Sequence, residues 1–227
     1  MIPDPIDEPF FEPGRKLFAQ PCDFIWGAAG TESLPPLGAP EIAFAGRSNV
    51  GKSSLLNALT NRKTLARVSH TPGRTQQLNF FTLGDGLRLV DMPGYGYAAV
   101  GRAKVAAWTE GIRAYLRGRP TLLRVYLLVD GRHGLKPPDS DTMDDLDRAA
   151  VSYQIILTKR DEVKVAEREG RIAATLAALQ RRPAAHPDVI FTSSKEGDGI
   201  ESLRAAVARL LSERGGAASG KMPSPSD

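Results

Sequence analysis

A single cysteine, Cys22, in 227 residues leaves no partner for an internal disulfide and fits a reducing compartment. The histidines, His70, His133 and His186, are scattered without metal-ligand spacing, so no metal role is assigned to them. No apolar run approaches the about 18 to 20 residues that would cross a bilayer. The opening stretch MIPDPIDEPF is acidic and proline-rich, without the basic and apolar regions of a signal peptide. A cytoplasmic protein without a membrane span is therefore expected. Charge of one sign is also scarce: 30 Lys and Arg against 26 Asp and Glu leave only +4.

Placement of charge says more than its sum. Basic residues recur between Arg47 and Arg132, at Arg62, Lys63, Arg67, Arg74, Arg102, Lys104, Arg113, Arg117, Arg119 and Arg124. Acidic residues gather at the start of the chain and in DSDTMDDLD, Asp139 to Asp147. A locally positive region can serve as a footprint for a polyanion such as RNA, though charge alone favours a plain solvated surface.

Apolar runs alternate with helical spacing from Glu41 onward. Buried strands are expected at Ile42–Gly46, Leu78–Leu83, Leu87–Met92, Arg124–Asp130, Tyr153–Thr158 and Val189–Thr192. Gly84-Asp85-Gly86 between the second and third marks a hairpin. Helices are expected over Ser53–Arg62, Ala99–Arg119, Asp139–Ala150, Val163–Gln180 and Ile200–Leu211. Strands apolar on both faces, alternating with helices, imply an α/β fold: a mostly parallel six-stranded sheet with helices on both faces. Residues 1–38 read as an N-terminal extension partly docked on a 39–212 domain, through apolar residues of RKLFAQPCDFIWG. Residues 213–227 read as a disordered tail.

Four motifs carry the chemistry. GRSNVGKS supplies Gly46, Arg47, Ser48, Asn49, Val50, Gly51, Lys52 and Ser53 between a strand and a helix. Its glycines let successive amides point at phosphates, Lys52 reaches the outer phosphates, and the Ser53 hydroxyl ligates magnesium. DMPG supplies Asp91, Met92, Pro93 and Gly94 at a strand end; Asp91 holds magnesium through a water and the Gly94 amide meets the third phosphate. Between them TPGRTQQ offers Gly73, Arg74, Thr75, Gln76 and Gln77, with Thr75, or less favourably Thr71, completing the magnesium shell. TKRD (Thr158, Lys159, Arg160, Asp161) follows a strand as a guanine-reading motif should. Its carboxylate accepts from two N–H groups that adenine does not offer together. TSS (Thr192, Ser193, Ser194) matches the weak loop that backs the base. In this order the motifs describe a Ras-like P-loop GTPase fold binding GTP or GDP with Mg²⁺, with Lys52 and Thr75 as catalytic candidates. TKRD argues against the alternative of a P-loop ATPase or small-molecule kinase.

GRSNVGKSSLLNAL, TPGRTQQLNFF, DMPGYGYA, VDGRHGLKPPD and LTKRD resemble the EngB (YihA/YsxC) family of bacterial ribosome-biogenesis GTPases, of the TrmE-Era-EngA-EngB-Septin-like class. The similarity spans about Glu41 to Leu211. It implies a GTPase acting in assembly of the large ribosomal subunit, with precursor RNA and ribosomal proteins as partners and a role in cell division and septation. A division or septum factor acting through a protein partner is the alternative. The chain is expected to be a monomer.

No side chain in DMPGYGYA can orient the attacking water as the glutamine of Ras does, so slow intrinsic hydrolysis is expected. A partner or a K⁺ ion would supply the missing stabilisation, with Asn49 either helping to ligate K⁺ or simply facing solvent. Tyr95 and Tyr97 either pack internally or offer stacking surfaces to RNA.

Overall fold

A computed structural model of the chain describes residues 8–29, 33–63, 65, 77–95 and 112–218. Its frame is a seven-stranded sheet built from β1 (Cys22–Ala28), β2 (Glu41–Gly46), β3 (Leu78–Leu83), β4 (Leu87–Asp91), β5 (Leu122–Asp130), β6 (Tyr153–Thr158) and β7 (Ala185–Phe191). The strand order is β1-β3-β4-β2-β5-β6-β7. The pairs β1–β3 and β3–β4 are antiparallel and the rest parallel.

Side-chain alternation sends each strand into two cores, which is why the central strands read as unbroken apolar runs. Ile42, Phe44, Tyr126, Leu128 and Ile156 meet α1 (Phe11–Phe18), α2 (Lys52–Leu59) and α5 (Ile200–Ala218) through Phe18, Leu55, Leu59, Leu203 and Val207. Ala43, Ala45, Val125, Leu127 and Ile155 meet Tyr115 of the helical residues 112–118 on the other face. Met143 of α3 (Pro137–Arg148) and Leu179 of α4 (Val165–Leu179) join them there.

The strand beyond the expected six is β1, contributed by the N-terminal segment. A bulge between Phe24 and Trp26 breaks its alternation, and on this edge Phe24 and Trp26 stay 59% and 43% exposed, so the period-2 signal is blurred. Cys22 opens the strand buried, and burial pushes its thiol up to about 11, leaving it unreactive. β7 begins earlier than Val189 because Tyr153 pairs with Ala185; the edge tolerates Pro187. α3 begins at Pro137 rather than Asp139, since proline suits a first helical position and Asp139 Oδ2 accepts from Lys136 N at 2.9 Å. α5 continues through Ala218, past the expected end at Leu211, with Arg209 and Glu213 paired at 3.7 Å. Residues 99–111 of the expected Ala99–Arg119 helix and 219–227 of the expected tail lie outside the described residues.

Two of the basic residues assigned to a positive surface are internal. Arg119 forms a buried fork with Glu41 at 2.7 and 3.0 Å and bonds Pro35 O at 2.9 Å, and Arg124 is buried beside Gln154. Arg113 pairs with Asp145 at 3.5 Å. Among the described residues Arg62, Lys63 and Arg117 remain exposed cations of that run.

The N-terminal segment packs backbone to backbone. A Cβ on Gly14 of α1 would lie 2.6 Å from the carbonyl carbon and oxygen of Arg204 in α5, whose guanidinium sits 5.9 Å from the Phe18 ring centroid. Alanine in a helix interior normally gains about 1 kcal/mol over glycine. Here overpacking should reverse the sign, so Gly14→Ala is expected to cost about 1–3 kcal/mol and lower the thermal midpoint. A raised midpoint would mean that α1 can slide away from α5.

Candidate functional site

The nucleotide-type motifs meet because parallel strands deliver their carboxyl ends to one edge of the sheet. Between β2 and α2, left-handed backbone at Asn49 (φ 65°) and Gly51 (φ 102°) curls the P loop, and buried Val50 anchors it in the core. The segment after β4 continues the sheet ladder onto this loop. Met92 N donates to Phe44 O (2.9 Å), Tyr95 N to Gly46 O (3.3 Å), and Ser48 N to Tyr95 O (3.2 Å). Asp91, Met92, Pro93 and Gly94 are thereby laid along Gly46, Arg47 and Ser48.

The Lys52 ammonium forms an ion pair with the Asp91 carboxylate, both largely buried. Ser53 lies in the first turn of α2, beside Lys52. Among the described residues no group of three or more His, Cys, Asp or Glu side chains forms a metal cage. Hydroxyl and carboxylate oxygens nevertheless fit Mg²⁺, a hard cation that takes few protein ligands and completes its shell with phosphate and water. Gly73, Arg74, Thr75 and Gln76 lie outside the described residues, as do Thr71, Tyr97, Arg102 and Lys104. Gln77 is exposed just before β3, and a Cβ on Gly27 of β1 would lie 2.7 Å from its Oε1. Since Asn79 pairs with Asp91, Gln77 lies at the same end of the sheet as DMPG.

TKRD is bound to the other side of the P loop. Buried Thr158 donates its hydroxyl to Val50 O at 2.7 Å, so this side chain serves the loop's backbone. Lys159, left-handed at φ 58°, donates to Asn49 O at 3.1 Å and to Asp130 Oδ2 at 2.8 Å. Ser193 Oγ donates to Asp161 Oδ1 at 2.6 Å, Thr192 bonds Leu157 O at 3.1 Å, and Arg160 pairs with Asp198 at 2.8 Å. Ser194 follows in the turn 194–196. The two loops therefore form one unit that aims a carboxylate.

Known proteins resemble this chain in sequence and in fold. A family model described as 50S ribosome-binding GTPase matches residues 41–159. A probable GTP-binding protein EngB of Rhodopseudomonas palustris strain TIE-1 is 62% identical over 213 residues, 93% of this chain and 99% of the relative. One from Bradyrhizobium diazoefficiens is 58% identical, covering 93% and 98%. The chain belongs to the EngB family of GTP-binding proteins. A crystal structure of a probable GTP-binding protein EngB, 25% identical, superposes with a TM-score of 0.59 over 77% of this chain and all of that one. The protein is thus a GTP-binding GTPase with the Ras-like P-loop fold.

Asp130 and Arg132 of this EngB-family chain, part of the VDGRHGLKPPD string but given no role from sequence, stand behind the guanine motif. Asp130 ends β5 opposite Thr158, and Arg132 grips both its oxygens at 3.0 and 2.8 Å while reaching Glu162 at 2.8 Å. Burial alone would raise the Asp130 pKa, but the bonds from Arg132 and Lys159 outweigh it and hold the carboxyl well below the usual range. The stabilisation from Asp130 is therefore complete above its unfolded value of about 3.9 and lost only as pH falls below it. The signal available in sequence was an acid-glycine-arginine run closing a buried strand.

Asp130→Asn removes the charge that fixes the Lys159 ammonium. GDP affinity is expected to fall about tenfold, the scale of one charge-assisted hydrogen bond. Titration with fluorescent GDP measures it, and undiminished affinity would mean that Asn49 O alone positions Lys159.

Proposed function

We propose that the chain is a slow GTPase switch that acts on a precursor of the large ribosomal subunit in the cytoplasm. The observation that supports this best is the seating of the DMPGY segment on the P loop, with no glutamine in DMPGYGYA to orient a water. The family model's description as a 50S ribosome-binding GTPase adds the ribosome.

In the bound state the amides of Asn49 and of Gly51 to Ser53 face the phosphates, those of Ser48 and Val50 being bonded to Tyr95 O and Arg47 O, and Lys52 moves from Asp91 to the outer phosphates. Asp161, oriented by Ser193, accepts from the guanine edge, while the Lys159 stem lies along the base. Ser53, Asp91 and Thr75 would hold Mg²⁺, which when bound would neutralise charge on the outer phosphates. Lys52 stabilises the transferring phosphoryl group, and the Gly94 amide senses it. Loss of that group removes the acceptor of the Gly94 amide, which gives a partner two nucleotide states to distinguish. Septation defects would follow from disturbed ribosome supply.

Two measurements test this reading. Single-turnover hydrolysis by the isolated protein should proceed near the unassisted Ras rate of about 10⁻⁴ per second. Turnover near 1 per second, in Na⁺ or K⁺ buffer, would refute the partner-dependent view. In native extract the protein should co-sediment with 50S particles in a non-hydrolysable GTP analogue and not in GDP; failure in both states sinks the ribosomal role.

A further inference from the structure

Tyr95, the residue after the DMPG glycine, has a hydroxyl committed to the protein interior. It donates to Asp139 Oδ1 at 2.9 Å. Asp139 has no exposed surface, and its other oxygen accepts from Lys136 N at 2.9 Å, fixing the carboxylate at the head of α3. Arg47 of the P loop brings Nε to 3.2 Å from the same Oδ1, as an ion pair rather than an aligned hydrogen bond. One buried carboxylate thus joins the P loop, the segment after DMPG and the helix that follows β5. Burial, reinforced by the neighbouring carboxylate, holds the Tyr95 phenol well above its ordinary value, so it remains a donor.

The consequence falls on Gly94. It lies so close to the P-loop rim that a Cβ there would be 2.9 Å from Ser48 Oγ and 3.1 Å from Ser48 N. A side chain there would crowd the Ser48 backbone, and the position of Gly94 is set by what holds the next residue. Tyr95 is held at its backbone by Gly46 and Ser48 and at its side chain by Asp139. We propose that Asp139 is a positioning residue for the γ-phosphate sensor, holding Tyr95 so that the Gly94 amide faces the third phosphate of GTP. This rests on the assignment of Gly94 as that sensor. GDP has no third phosphate, so its binding does not draw on the Tyr95–Asp139 bond, and the pair becomes a determinant of GTP over GDP.

The test compares GDP with a non-hydrolysable GTP analogue by titration of the full chain with Mg²⁺, in Tyr95→Phe, Asp139→Asn and Gly94→Ala variants. Tyr95→Phe removes one hydroxyl and leaves the ring, so it should fold even where Asp139→Asn does not. It should weaken the GTP analogue about tenfold while GDP stays within about twofold. Asp139→Asn should move the same ratio, and the double variant should add little to the larger single effect. Equal weakening of both nucleotides by Tyr95→Phe, or of neither, overturns the proposal. Gly94→Ala separates the two levels. If it shifts the ratio and Tyr95→Phe does not, Asp139 has no positioning role. If neither shifts it, the assignment of Gly94 falls as well.

Discussion

A P loop works only while its amide N–H groups point inward, yet its own carbonyls face outward with no helix or strand to receive them. In this chain the neighbours provide that grip from both sides. Tyr95 brackets Gly46 and Ser48 by backbone bonds, Thr158 takes the Val50 carbonyl, and Lys159 takes that of Asn49. Each gripping residue follows or closes a strand adjacent, or one removed, from the β2 strand that launches the loop. Cradle shape and sheet order are therefore one constraint: a register slip in β6 would turn the Thr158 side chain to the opposite face, and one in β4 would carry the Tyr95 backbone off Gly46 and Ser48.

The same clustering governs the charges. Lys52 is paired with Asp91, Lys159 with Asp130, and Arg47 with Asp139, so each cation at the loop has a carboxylate brought by a different element. Cations gathered for a polyanion would otherwise repel one another and bend into solvent. Of the three pairs, Lys52–Asp91 joins two groups assigned to phosphate and magnesium, so on that assignment nucleotide binding would break it. Lys159–Asp130 carries the additional fork of Arg132 and belongs to a unit that positions the base. The pairing thus separates a contact that must yield from contacts that must hold.

How much of this was legible follows from the range over which each feature is written. GRSNVGKS, DMPG and TKRD are local strings whose strand-end context is also local, so the Ras-like fold and the nucleotide class could be read directly. Asp130 and Asp139 could not: each acts through a partner more than 25 residues away in sequence, 159 for one and 95 or 47 for the other. Arg119 and Arg124 looked like surface charge because composition does not reveal that Glu41 and Gln154 wait inside. β1 is hidden by its bulge and half-exposed edge, and helical spacing becomes visible only at Asp139, two residues after Pro137 opens α3.

The fate of Tyr95 bears on more than nucleotide choice. Absence of a glutamine leaves open whether another side chain near the third phosphate could orient water. The residue after Gly94 cannot take that water's proton, because its hydroxyl donates to Asp139 and burial keeps the phenol protonated. Freeing it would leave a buried carboxylate facing Arg47 without its second donor, an expensive exchange. On the reading proposed above, stabilisation of the attacking water comes from elsewhere, and a partner that seats itself beside the switch supplies it only once docked. On this view the bond that sharpens recognition of GTP is also what keeps its hydrolysis conditional.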